Sequence, residues 1–296
     1  MRAPGQGSDA DAPALSRRPL SQVPGRDRDR RQEARGLTQY RSAAAKPGRT
    51  VIAKSAFRQS LEDAVAQRHS ALHPWSEAWA AGKLDRRILG EWVKQQYHFV
   101  RHFAEWVAVV YASGPPQDVQ QFLLENIAEE EGLIGSGEFA PVRHTELLLE
   151  FAEICGMPRA EVMDAEKKGQ LLPELLGFRS WCAVQSRKPF VEALSGLLVG
   201  LESQVPGIYR KTMPPLVEKY GFAEDELAYF KLHIEADMDH AAKGYGIVEK
   251  YASSDEQRAT CVHIVKEAAT MRRLYLDGLY RKFQTEIESA AKKRAA

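Results

Sequence analysis

The sequence predicts an all-α protein, a single-domain bundle of about seven or eight helices. Three observations predict it. From Ser55 onward apolar residues recur at helical spacing, in segments closed by Gly or Pro. No window alternates apolar and polar residues as a half-buried strand would. No motif repeats at a fixed period. With 296 residues, 44% of them apolar, the chain can bury a sizeable core.

Residues 1–55 stand apart. "MRAPGQGSDADAPALSRRPLSQVPGRDRDRRQEARG" is rich in Arg, Asp, Pro, Gly and Ser and has almost no large apolar side chain. Such a segment buries too little surface to offset its ordering entropy, and is expected to be a disordered tail. It has no apolar stretch of the kind a secretory signal carries. The helical domain is expected over residues 56–285, with residues 286–296 as a flexible end.

Phe57, Leu61, Ala64 and Val65 mark one face of a first helix. A long periodic run from Leu84 to about Ala112 reads as one helix, ended by Gly114-Pro115-Pro116. "DVQQFLLENIAEEEG" starts at an Asp cap and stops at Gly132; "RHTELLLEFAEICG" stops at Gly156. "PRAEVMDAEK" follows a proline, and "LPELLGFRSWCAVQ" comes next. The run from Lys188 to Gly221, then "AEDELAYFKLHIEADMDHAAKGYGIVEKYA", then the run from Ser254 to about Ala290 complete the bundle.

A net charge of +1 gives no strong pull toward nucleic acid or anionic membrane. No apolar run reaches the roughly 18–20 residues of a membrane span. Cys155, Cys182 and Cys261 form no CxxC pair. They suit a reducing compartment, and the expected location is cytoplasmic.

The chemistry concentrates in "HIEADMDH", residues 233–240. On a helix, positions 0, 4 and 7 fall within roughly 60° of one another. His233, Asp237 and His240 therefore share a face, while Glu235 and Asp239 point to the other side. Two imidazoles and a carboxylate suit Fe, Mn or Zn. His98, His102 and Glu105 repeat the same spacing on the long helix, so one stripe is site and the other decoy, or both serve one centre. Glu202 lies in an apolar helix with little polar company and must be paired, protonated or metal-bound. Of Glu129, Glu130 and Glu131, one is expected to turn inward, and His144 opens the next helix toward the same space. Only one acid-x-x-His pair, Asp237 to His240, sits on a convincing helix. That counts against a ferritin-like bundle, which uses two.

The set Glu130, His144, Glu202 and His233-x3-Asp237-x2-His240, with "LHPWSEAWAAGKLD", "ENIAEEEG" and "FKLHIEADMDHA", resembles the haem-oxygenase-like di-iron oxidases and oxygenases. This superfamily includes the thiaminase TenA, the PQQ-synthesis oxidase PqqC and the chlamydial protein that makes 4-aminobenzoate. The resemblance covers about residues 56–285. It implies a haem-oxygenase-like bundle holding two Fe(II) ions, with O2 as co-substrate. One iron would take Glu130 and His144, the other the late-helix ligands His233, Asp237 and His240, with Glu202 bridging. Glu105 stands where some members add a further glutamate; His98 and His102 then become core or supporting residues.

The implied function is oxidation or oxygenation of a small amine, amino acid or carboxylic acid in a biosynthetic pathway. The implied partners are that small-molecule substrate, an electron donor and a second copy in a homodimer. Two alternatives come with the family: a 4-aminobenzoate synthase-like protein that consumes one of its own tyrosines, with Tyr97, Tyr209 and Tyr229 as candidates, and a PqqC-like metal-free oxidase. A thiaminase reading needs a nucleophilic cysteine, and none here has a partner pattern. A haem oxygenase reading needs an early axial histidine, His69 or His73; His73-Pro74 reads instead as a turn.

Overall fold

The structure, a computed structural model, describes residues 55–295. The expected tail, apart from Ser55, lies outside the described residues. Among them there is no strand; Ser136 and Phe139 form one isolated β-bridge.

Caps fix the first elements. Ser55 accepts from Arg58 N and starts α1, Ala56–Ala66. His73 Nδ1 accepts from Trp75 N at 3.0 Å, and Pro74 opens α2, Pro74–Ala80. The Nε2 of His73 meets Asp277 at 2.9 Å, so both ring nitrogens are engaged and the residue is the turn the sequence suggested. Asp85 caps α3, Arg86–Val100.

The bundle has more segments than seven or eight because two predicted helices are broken. The run from Leu84 to Ala112 divides at Arg101-His102 into α3 and α4, Phe103–Ala112. His102 is anchored across the break: Arg179 donates to its Nε2 at 2.7 Å, and its Nδ1 meets Glu105 at 2.7 Å. After α5 (Gln117–Glu130), α6 (His144–Ile154), α7 (Arg159–Met163) and α8 (Pro173–Gln185), the second break follows. α9, Phe190–Leu194, widens into a π-helical segment over Ser195–Leu201, tightens to a 3₁₀ turn over Glu202–Gln204, and resumes as α10, Val205–Tyr220. Pro206 supplies no amide donor to the turn before it. The loosened carbonyls find side chains instead: Ser203 Oγ donates to Val199 O, Gln204 Nε2 to Gly200 O and Arg272 Nη1 to Leu201 O. α11 spans Ala228–Tyr251 and α12 Asp255–Lys282. Helix continues past residue 285 as α13, Gln284–Ala295, with Ile287 buried.

An aromatic core ties α2, α3, α6 and α11 together. Trp92 stacks on Phe230 (centroids 6.0 Å), Trp79 meets Trp92 edge-on at 4.9 Å, and Phe151 meets Phe230 edge-on at 4.9 Å. α12 closes the other side of the π segment, where Gly200 lets the backbones approach: a Cβ there would collide with the Ala268 methyl. All three cysteines are free and buried, and burial pushes the Cys155 thiol up to about 12. No described helix is long and apolar enough to cross a membrane.

Gly200→Val should overpack this contact and destabilise the fold by about 1–3 kcal/mol. The urea midpoint measures it, and an unchanged midpoint would refute the close approach.

Candidate metal centre

α11 presents His233, Asp237 and His240 inward, all buried, and leaves Glu235 and Asp239 exposed. Asp239 pairs with Lys243 at 2.8 Å. The carboxyl end of α5 faces this triad. Gly132, at φ +66°, turns the chain so that Arg143 returns against the helix end, and Arg143 pairs with Glu131 at 2.7 Å. The loop thereby sets Glu130 beside His144 despite their separation in sequence: Glu130 Oε2 lies 3.0 Å from His144 Nδ1. This contact has the distance of a hydrogen bond but not its alignment, and His144 Nε2 has no partner.

His233 does not stay with its neighbours on α11. Its ring lies 4.7 Å from that of His144. Its Nδ1 donates to Tyr229 O at 2.7 Å, which leaves the Nε2 lone pair free. Burial, then the nearby His144, lowers its pKa to about 3, so the ring is neutral. One group therefore comprises Glu130, His144 and His233.

Glu202, Asp237 and His240 make the other group, with one ligand atom from each lying within 4.8 Å of the others. His240 Nδ1 meets Glu202 Oε1 at 2.9 Å, and its Nε2 lies 3.2 Å from Glu129 Oε2. Burial alone would discharge this ring, yet Glu202 and Glu129 hold its pKa up to about 11. Burial, then Glu202, pushes Asp237 well above the usual carboxylate range. For Glu130 burial works in the same direction, but His144 outweighs it and the group stays below its ordinary value.

Two of the three consecutive glutamates turn inward, where one was expected. Glu129 was weighed in the sequence only as an alternative to Glu130, and the fully buried Asn126, whose Nδ2 reaches Glu202 Oε1 at 3.4 Å, escaped the sequence reading. Their only signal was position, at the end of a helix whose neighbour was already suspect. Glu105 does not join the others. The break after α3 resets its register, and its side chain is 67% exposed, held by His102 on the far side of α4. His98 is a core residue, with Nε2 on Val162 O at 2.9 Å.

The residues fit a metal. His144 Nε2, Glu202 Oε2 and Asn126 Oδ1 are buried polar atoms without a protein partner, and such atoms call for an ion or water. Imidazoles and carboxylates together suit iron, manganese or zinc. A narrow cavity of about 40 Å³ adjoins the donors, lined by Glu130, Glu202, His233 and Asp237 and by apolar Phe99, Val100 and Phe103.

Two predictions follow from this geometry. A ligating His240 must be neutral, so metal entry expels its proton. Because that proton is held to about pH 11, metal affinity should rise with pH, about tenfold per pH unit for each proton released, over pH 6–8. Anaerobic Fe(II) titrations across that range test this, and flat affinity would contradict it. Glu105→Gln should leave iron content unchanged, as read by metal analysis of the purified protein.

The model of a family described as iron-containing redox enzymes matches residues 90–273. The chain is 26% identical over 242 residues to the 4-aminobenzoate synthase of Nitrosomonas europaea, covering 78% of this chain and 94% of that protein. It is 25% identical over 203 residues to the 4-aminobenzoate synthase of Chlamydia muridarum, covering 68% and 81%. A domain of unknown function from Shewanella denitrificans, solved with a heme oxygenase-like fold, superposes with a TM-score of 0.60 at 17% identity, covering 77% of this chain and 90% of that one. The all-α, haem-oxygenase-like architecture thus agrees with the sequence reading, and the chain belongs to the family of iron-containing redox enzymes.

Proposed function

We propose that this chain is a non-haem di-iron, O2-dependent oxidase or oxygenase acting on a small amine, amino acid or carboxylic acid in a biosynthetic pathway. The observation that carries the reading is the meeting of two donor groups in one buried cluster, Glu130/His144/His233 and Glu202/Asp237/His240. Two Fe(II) ions held by these groups would supply the electrons for activating dioxygen. The chain's own residues do the rest. His233 offers a lone pair fixed by its bond to Tyr229 O. Glu202, with one oxygen on His240 and the other unpartnered, is the candidate bridge. Phe99, Val100 and Phe103 keep the cavity poor in water. The proposal includes a cytoplasmic location, in keeping with the free cysteines, an external electron donor and a homodimer.

A second reading is favoured by a specific observation. Tyr209 and Tyr229 both line the cavity, their hydroxyls are 3.3 Å apart, and the Tyr229 ring lies 4.3 Å from that of His233. In a 4-aminobenzoate synthase-like protein one of them would be the consumed tyrosine. Burial raises both phenols, Tyr209 to about 12, so both keep their protons. A PqqC-like metal-free oxidase is separated from both readings by iron content.

Anaerobic loading should give about two Fe(II) per chain, and O2 should then produce a transient optical absorption. Asp237→Ala should lose that absorption and about one iron. Fewer than about one iron in the wild type would sink the di-iron reading. A mass change confined to the peptide carrying Tyr209 or Tyr229 would select the self-consuming version.

A further inference from the structure

We infer that Arg272 anchors the carboxylate of a small substrate beside the metal cluster, an inference that rests on the di-metal reading above. Arg272 projects from α12 and is only 8% exposed. Its Nη1 donates to Leu201 O at 3.0 Å. Among the described residues it forms no ion pair with a carboxylate, although its charge is felt by Asp237. A guanidinium cannot shed its charge by losing a proton. Burying one without a counter-charge costs several kcal/mol, so an anion is expected against it.

The cluster's own acids do not meet that need once metal is present. Two divalent ions balance the charges of Glu129, Glu130, Glu202 and Asp237, and the imidazoles ligate as neutral rings. Arg272 is then left as one uncompensated positive charge at the cavity wall. Its position is informative. It lines the cavity beside the donors and also a second one of about 30 Å³ lined by Trp75, Trp79, Trp92 and Tyr275. The two share Gln96, Tyr209 and Arg272. One edge of the fork is committed to Leu201 O, and the other edge is planar and matches a carboxylate in two parallel hydrogen bonds. The aromatic lining beyond it suits the apolar body of such a ligand. Of the three substrate classes open to the di-iron reading, this geometry selects the acids, including amino acids bound through their carboxylate.

The competing role is internal: Arg272 holds the Leu201 carbonyl and through it positions Glu202. Calorimetric titration of the anaerobic, Fe(II)-loaded full chain separates the two. Acetate is the probe, with acetamide as its uncharged isostere and inorganic phosphate as a non-planar anion; iron is counted on the same samples. Wild type should bind acetate at least about tenfold more tightly than acetamide, and more tightly than phosphate. Arg272→Gln should lose about tenfold or more in acetate affinity while keeping its iron and its acetamide affinity. Arg272→Lys should retain part of the acetate affinity.

Equal acetate binding by wild type and Arg272→Gln would overturn the inference, because the carboxylate would then sit on the metal alone. Absence of a preference for acetate over acetamide in the wild type would overturn it without any variant, as would a preference for phosphate. Loss of iron in Arg272→Gln, restored in Arg272→Lys with acetate affinity unchanged throughout, would assign the internal role instead. A wild type that takes up no iron sinks the di-iron reading, and acetate titration of that iron-free protein still tests Arg272.

Discussion

Glu129, Glu130, Glu202 and Asp237 bring four carboxylates into one largely buried interior, and the surrounding structure answers to that charge. Charged groups enter such an interior only when paired, protonated or metal-bound. Here the first two responses can be assigned to particular atoms. Glu130 leans on His144, Asp237 is driven toward its protonated form, and His240 is held as a cation between Glu129 and Glu202. Only His233 is left neutral and ready as a ligand. Protons do provisionally what divalent ions would do with better geometry. Metal uptake by this cluster would therefore be coupled to proton release.

That charge also explains the irregular backbone around it. A regular helix through Ser195–Gln204 would satisfy its own carbonyls and need no help from outside. The π segment and the 3₁₀ turn bring Glu202 to the cluster, and the carbonyls they loosen are taken up by Ser203, Gln204 and Arg272. The close packing of α12 at Gly200 fixes this stretch from behind. The local departure from helical order and the placement of one carboxylate are thus a single structural feature. It is supported by a helix that carries none of the ligands.

What was legible in the sequence was what depends on short-range periodicity. The sorting of His233, Asp237 and His240 from Glu235 and Asp239 needed only the helical repeat, because all five sit in one uninterrupted helix. The all-α class was legible for the same reason. Periodicity fails where the register is reset. Glu105 lies past a break that the apolar pattern of α3 and α4 runs straight through, so its spacing from His98 no longer describes one face. The 188–221 run hid the π segment because a one-residue widening leaves composition untouched. Glu129 was set aside in favour of Glu130 because adjacent residues on a helix diverge by about 100°, and both can face a site only where that site wraps around the helix end. The grouping of His233 with His144 is tertiary and has no local signature.

The size of the cavity constrains the chemistry further. At about 40 Å³ the cavity beside the donors is small, and it suits dioxygen and a compact ligand better than a bulky one. A substrate of many atoms cannot share that space unless side chains move. One of two conditions then holds. The reacting carbon arrives on a small ligand that spans into the aromatic cavity past Gln96, Tyr209 and Arg272, or it already belongs to the wall. Tyr229 meets the second condition without any movement, because its ring packs against His233 and its hydroxyl is held by Tyr209. Arg272 meets the first, because an anchored carboxylate would place the rest of a small acid in line with the donors. On the di-iron reading, the same narrow wall would keep an oxidant away from bulk water and close to the Tyr229 phenol whenever the acid is absent.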